Sequence, residues 1–220
     1  MRNPSVADPC QEYTLSSNTA LDLITRYTFD AAGNRLSVAG PDGQTRYSIY
    51  DGLGRLVSEQ DALGHTTQYV YDAASNRVDM IDAEEVVTHY EYNALGKLAA
   101  VVENYLPGVL PDEQTNVRTG YGYSSLGERL AITDALTHTT SFDFDPLGRQ
   151  VSESDPLGHT WQQGYDVIGS RVVMTDANGA ATFFLYDGLG RLAQVDYPAP
   201  DADVSYAYNS LGWRTVMTDG

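Results

Sequence analysis

Cysteine is nearly missing from this chain of 220 residues: Cys10 stands alone. No disulfide can close within the chain, and no thiolate metal cluster can be assembled. Long apolar runs are missing too. None approaches the roughly 18 residues that a membrane-spanning helix needs, and the opening stretch MRNPSVADPCQEYTLSSNTA lacks the apolar centre of a signal peptide. Export is therefore expected only as part of a larger parent protein. Cations are scarce, 13 Lys and Arg against 30 Asp and Glu, for a net charge of −17. That charge repels phosphate backbones and anionic headgroups, so nucleic acid and membrane insertion are excluded from the expected partners. Catalytic signatures are lacking as well. There is no Gly-x-Ser-x-Gly elbow, no His-Glu-x-x-His and no phosphate loop. No enzyme activity, cofactor or metal is expected.

Tyrosine is abundant, with 16 copies. Twelve of them fall into two columns of a repeat. An aromatic followed by Asp, Asn or Ser, two further residues and a glycine marks nine anchors: Asp30, Asp51, Asp72, Asn93, Ser124, Asp145, Asp166, Asp187 and Asn209. Their spacing is 21 residues, except for 31 after Asn93 and 22 after Asp187. The residue before the anchor is always aromatic, and the residue three before it is aromatic except at Ser48 and Gln163. Glycine follows the anchor by three, except at Ser75. An acid recurs ten residues after most anchors, from Asp61 to Asp219. Segment TALDLIT at 19–25 aligns with DALGHTT at 61–67, so the chain is read as a piece of a longer array. Residues 1–18 are a degenerate repeat remnant, and 19–220 form the array, with an insertion at 104–118.

Alternating aromatics, as in TTQYVYD, have the period of two of a β-strand. The anchor's Asp, Asn or Ser with its following Gly supplies turn chemistry, as does the second cluster DALG, DPLG or DANG. Two strands and two turns fill 21 residues. Connections this short make antiparallel neighbours. The fold is expected to be all-β: about eighteen strands in a row of hairpins forming one long curled sheet, since open twisted sheets of more than about ten strands curl. A β-propeller of 42-residue, four-stranded blades is the alternative.

Each repeat also carries one cation just after its glycine-like position. It lies five residues after the anchor in odd copies (Arg35, Arg77, Arg129, Arg171, Arg214) and four after it in even copies (Arg55, Lys97, Arg149, Arg191). A one-residue shift flips a side chain across a sheet unless a bulge absorbs it. The alternation predicts cations on opposite faces, or beside alternating bulges, and a true unit of 42 residues.

Tyr-Asp followed by Gly-Arg-Leu at this period, as in YDGLGRL at 50–56 and 186–192, resembles the Rhs and YD-repeat family of polymorphic toxins, toxin-complex shells and teneurins. The resemblance covers residues 19–220. It implies a sheet spiralling into a hollow shell that encloses or presents a C-terminal toxin domain of a bacterial protein, secreted or at the cell surface. The implied partner is the rest of the parent chain. The aspartyl autoprotease signature of bacterial family members has no match here.

A surface adhesin that binds glycans or a cell-surface protein is the alternative function. Its candidate sugar-stacking residues are Tyr69, Tyr71, Tyr90, Tyr92, Tyr121 and Tyr123, each with an apolar ring and a polar tip. Packing of the sheet is the competing use of these rings. His65, His138 and His159 share one repeat position and read as turn residues rather than a metal column, since equivalent sites would stand near 10 Å apart. His89 reads as an isolated surface residue. The Asp columns read as turn caps in preference to calcium ligands. Pro107, Gly108 and Pro111 make the insertion a loop, either tolerated or used for binding.

Overall fold

The computed structural model describes residues 23–219. The proposed remnant at 1–18 and Cys10 lie outside the described residues. The chain divides into two compact units after Arg118, and the described residues of both form strands joined by turns and loops.

The first unit holds β1 (Arg26–Phe29), β2 (Arg35–Ala39), β3 (Thr45–Tyr50), β4 (Leu56–Gln60), β5 (Thr66–Tyr71), β6 (Arg77–Ile81), β7 (Val87–Tyr92) and β8 (Leu98–Glu103). Each pairs antiparallel with the next. The second unit holds most of β9 (Val117–Tyr123), then β10 (Arg129–Thr133), β11 (Thr139–Phe144), β12 (Gln150–Ser154), β13 (Thr160–Tyr165), β14 (Arg171–Thr175), β15 (Ala181–Tyr186), β16 (Leu192–Asp196), β17 (Val204–Tyr208) and β18 (Arg214–Asp219). These too pair consecutively. Neither meander breaks after four strands, so the propeller alternative falls.

Every repeat bends in the same way. At the first anchor the Asp30 N–H donates to Asn34 O, and the Gly33 N–H donates to Asp30 O. Gly33 has φ +87°. This is a three-residue hairpin loop, a type I turn closed by a left-handed residue. Asp61 and Gly64 make the same pair of bonds at the opposite rim. One loop type thus serves both ends of the hairpins, and glycine recurs where φ must be positive.

A bulge follows each anchor turn. Thr28 pairs with Ser37 but Phe29 pairs with Arg35, which leaves Leu36 as the extra residue. Val57, Val78, Val151 and Val172 occupy the same place in later repeats. The bulges therefore occur in every repeat and do not alternate, contrary to the expectation from the cation spacing. The extra residue keeps positions five and eight after the anchor on one face, together with the aromatics one and three before it.

Burial is shallow. Among the described residues only Ala100, Val102 and Val195 are buried apolar side chains. Contacts along the sheet, rather than a central core, hold each unit together.

Candidate functional site

The anchor turns are fastened by their acids. Asp51 Oδ1 accepts the N–H groups of Leu53 and Arg55, and Oδ2 takes the Arg55 guanidinium at 2.7 Å. Arg149 on Asp145 and Arg191 on Asp187 repeat this. In odd repeats Asn34 and Asn76 take the guanidinium's place, donating to Asp30 and Asp72. These contacts hold the carboxyls below the usual carboxylate range. The leading cause is the Asn side chain for Asp30 and Asp72, and the Arg side chain for Asp145 and Asp187. For Asp51 it is the Arg55 backbone N–H.

Within each unit the aromatic columns share one face of its sheet, because positions one and three before the anchor have the same parity. Equivalent rings lie two strands apart, about 10 Å, too far to stack on each other. Guanidinium groups fill the gap. Arg55, Arg149 and Arg191 lie 4.7, 4.5 and 4.5 Å from the rings of Tyr71, Tyr165 and Tyr208 in the following repeats. Arg77 sits between Tyr69 at 5.5 Å and Tyr90 at 4.7 Å, and Arg171 covers Phe184 at 4.7 Å. Cations four after the anchor thus serve the ring one before the next anchor. Cations five after it serve the rings three before. This corrects the expectation of opposite faces: both classes reach one aromatic face by two routes, which is why they alternate. The 42-residue unit is real in this sense. Contacts of this kind contribute about 0.5–1 kcal/mol each at exposed sites.

Of the six tyrosines proposed for sugar stacking, Tyr69 and Tyr90 clasp Arg77. Tyr71 lies under Arg55, and its hydroxyl donates to Leu56 O at 2.8 Å. The Tyr92 hydroxyl donates to Arg77 O at 3.0 Å. Tyr121 pairs across to Ile132, and Tyr123 to Arg129. All six are half-buried. Where the column lacks a ring, the face is indented. At Ser48 a depression of about 780 Å³ is bounded by Tyr27, Arg35, Arg46 and Glu59. At Gln163 a smaller one of about 180 Å³ is bounded by Gln150, Glu153, Trp161 and Met174.

His65, His138 and His159 each place Nδ1 2.7–3.0 Å from Oδ2 of their own turn's Asp61, Asp134 and Asp155. They are turn residues, as read. Among the described residues no group of three or more His, Cys, Asp or Glu could hold a metal ion. His89 departs from its reading as an isolated surface residue. It is half-buried, its Nδ1 lies 2.6 Å from Asp79 Oδ1, and its ring stacks on Tyr105 at 4.4 Å. Beside it, Glu91 pairs with Arg118 at 3.0 Å. Asp79 and His89 are direct cross-strand partners, which only the register of the intervening turn reveals.

The insertion is an ordered loop with closed ends. The Asn116 N–H donates to Asn104 O at 3.1 Å. The buried Asn116 side chain accepts from Leu106 N and donates to the Leu106 and Val109 carbonyls. The tip leaves Leu110 86% exposed.

The RHS Repeat family model matches residues 50–85, 123–160 and 144–181. A search of curated proteins returns no match. Among solved structures the chain is similar to the crystal structure of TcdB2-TccC3, at 15% identity and a TM-score of 0.53. The form of that protein without its hypervariable C-terminal region matches equally well. The Tc holotoxin pore of Photorhabdus luminescens matches at 16% identity and a TM-score of 0.53. Each match covers 89% of this chain and only 12% of the other. At this identity the likeness is one of fold. The matched segments, which span under half of the chain, carry RHS repeats, and the hairpin array is similar in fold to these toxin-complex structures.

Proposed function

We propose that this chain is a wall segment of an RHS-repeat shell that encloses or presents a C-terminal effector domain of a larger exported protein. The observation that carries this reading is the meander itself. Within each unit consecutive repeats are fastened to one another through one aromatic face, and the side chains that recur are spent on turns and stacking. Such a sheet propagates without limit, and sheets of more than about ten strands curl. The likeness in fold to TcdB2-TccC3, of which this chain covers only 12%, and the matched RHS repeats support the shell reading. The rest of the parent chain is then its main partner.

Protease protection tests it. In the intact parent, the domain beyond the repeats is expected to resist a protease that digests it once the segment equivalent to 119–219 is removed. Equal digestion of both forms would overturn the reading. An adhesive wall is the second reading, favoured by the polar and aromatic depression at Ser48. A glycan array probed with the chain tests it, and binding lost on Tyr27→Ala would support it.

A further inference from the structure

One arginine of the aromatic face is left without its ring. The cation five after an odd anchor covers the ring three before the next anchor. Arg77 covers Tyr90, Arg129 covers Phe142 at 5.7 Å, and Arg171 covers Phe184. For Arg35 that next position is Ser48. Among the described residues Arg35 keeps only the Tyr27 ring of its own repeat, at 5.9 Å. Arg35 and Ser48 both line the depression of about 780 Å³.

A second departure falls in the same repeat. The residue five before the anchor lies on the aromatic face too, having the parity of the ring positions. It is threonine in six repeats, from Thr25 to Thr182, and Val204 in the last. It is large only at Arg46 and Trp161, in the two repeats that lack a ring at Ser48 and Gln163. Near Gln163 the chain supplies its own replacement ring, Trp161, and a depression of only about 180 Å³ remains. Near Ser48 the replacement is a guanidinium, and the larger depression stays open. Arg55, Arg118, Arg149 and Arg191 are ion-paired. Among the described residues neither Arg35 nor Arg46 is. Two acids also line the depression. Asp42 is tied to its own turn, accepting the Gln44 N–H at 3.1 Å. Glu59 stands directly across from Ser48.

The open side of Arg35 suits an aromatic face, and the unpaired Arg46 suits a carboxylate. We propose that this depression binds a peptide bearing a tyrosine beside an acidic residue. The tyrosine ring takes the place vacant at Ser48, against Arg35, as Tyr69 and Tyr90 stand against Arg77. The neighbouring carboxylate pairs with Arg46. The phenol hydroxyl donates to Glu59, whose charge turns the peptide's own carboxylate toward the arginine end. This site and the shell role are separable, since protease protection of the parent reads only the latter.

Titration of the chain with the peptide acetyl-Gly-Asp-Tyr-Gly-amide, followed by NMR, tests it. Saturable shifts are expected at Arg35, Arg46 and Ser48. Replacing the peptide's tyrosine by leucine should weaken binding about fivefold, the worth of one exposed cation–π contact. In the protein, Ser48→Tyr supplies the missing ring, and Arg46→Thr restores the commonest residue of its column, so circular dichroism should show both folded. Each should weaken binding by at least as much. Gln163→Tyr, the same change at the smaller depression, should leave binding as it was. A wild-type chain without saturable shifts overturns the proposal. So does a Ser48→Tyr variant that binds as well as wild type, or a Gln163→Tyr variant weakened equally. A leucine peptide that binds as well as the tyrosine peptide would assign the depression to charge alone and overturn the ring-filling.

Discussion

Thr137 occupies the left-handed position of its turn with φ 69°, where Gly33 and its equivalents stand in most repeats. A β-branched residue there is a conformational outlier, and the left-handed region costs a residue with a Cβ roughly 1–2 kcal/mol. Thr137→Gly is expected to stabilise the fold by about 1 kcal/mol after the entropy that glycine adds to the unfolded chain. Ser75→Gly and Glu85→Gly should gain less, and urea unfolding checks the order. At this scale much was legible in the sequence. The Asp anchors read as turn caps, and the structure shows them accepting backbone N–H groups. The histidines read as turn residues for the same reason. The trio of His89, Asp79 and Tyr105 was not legible, because none of the three belongs to a repeated column. Two of them meet through strand register, and the third comes from the insertion.

Each hairpin is a more constrained object than its residues suggest. Leu36 and its equivalents are extra residues in the pairing, and they restore the face that the turn would otherwise reverse. Hydrophobic alternation announced the strands, yet the bulge was misplaced from sequence. The alternating cations looked like a change in strand register, whereas they record a change in which ring each arginine covers. The insertion loop is held by one buried side chain. Asn116→Ala removes three side-chain hydrogen bonds and leaves loop carbonyls without their donor. The expected cost is about 1–3 kcal/mol, felt locally. Limited proteolysis should show faster cleavage between 104 and 116, with strand amides keeping their hydrogen-exchange protection. Unchanged cleavage would mean that Tyr105 stacked on His89 suffices to hold the loop.

Across the whole molecule two electrostatic effects compete as pH falls. The net charge of −17 is self-repelling, so partial neutralisation from pH 7 to about 5 is expected to leave stability level or raise it slightly. Below about pH 4 the turn carboxyls dominate. Their folded-state values are depressed, so they stabilise the fold above the unfolded value of about 3.9 and lose that contribution as pH falls through the lower folded value. Melting temperature against pH should therefore fall steeply only at the acid end. Asp145→Asn with Asp187→Asn keeps an oxygen acceptor for the turn, as Asn93 does, but abolishes the titration. That pair should make the acid limb shallower, and an unchanged limb would acquit these turns.

By itself the sequence determined the period, the strand-and-turn alternation and the antiparallel pairing. All of these follow from local spacing, because loops this short permit only one kind of neighbour. The tertiary structure alone decided which face the arginines serve, where the bulge falls and how the 104–116 loop closes. Those depend on contacts between residues in different strands, whose register is fixed by the geometry of each turn and not by the order of the letters.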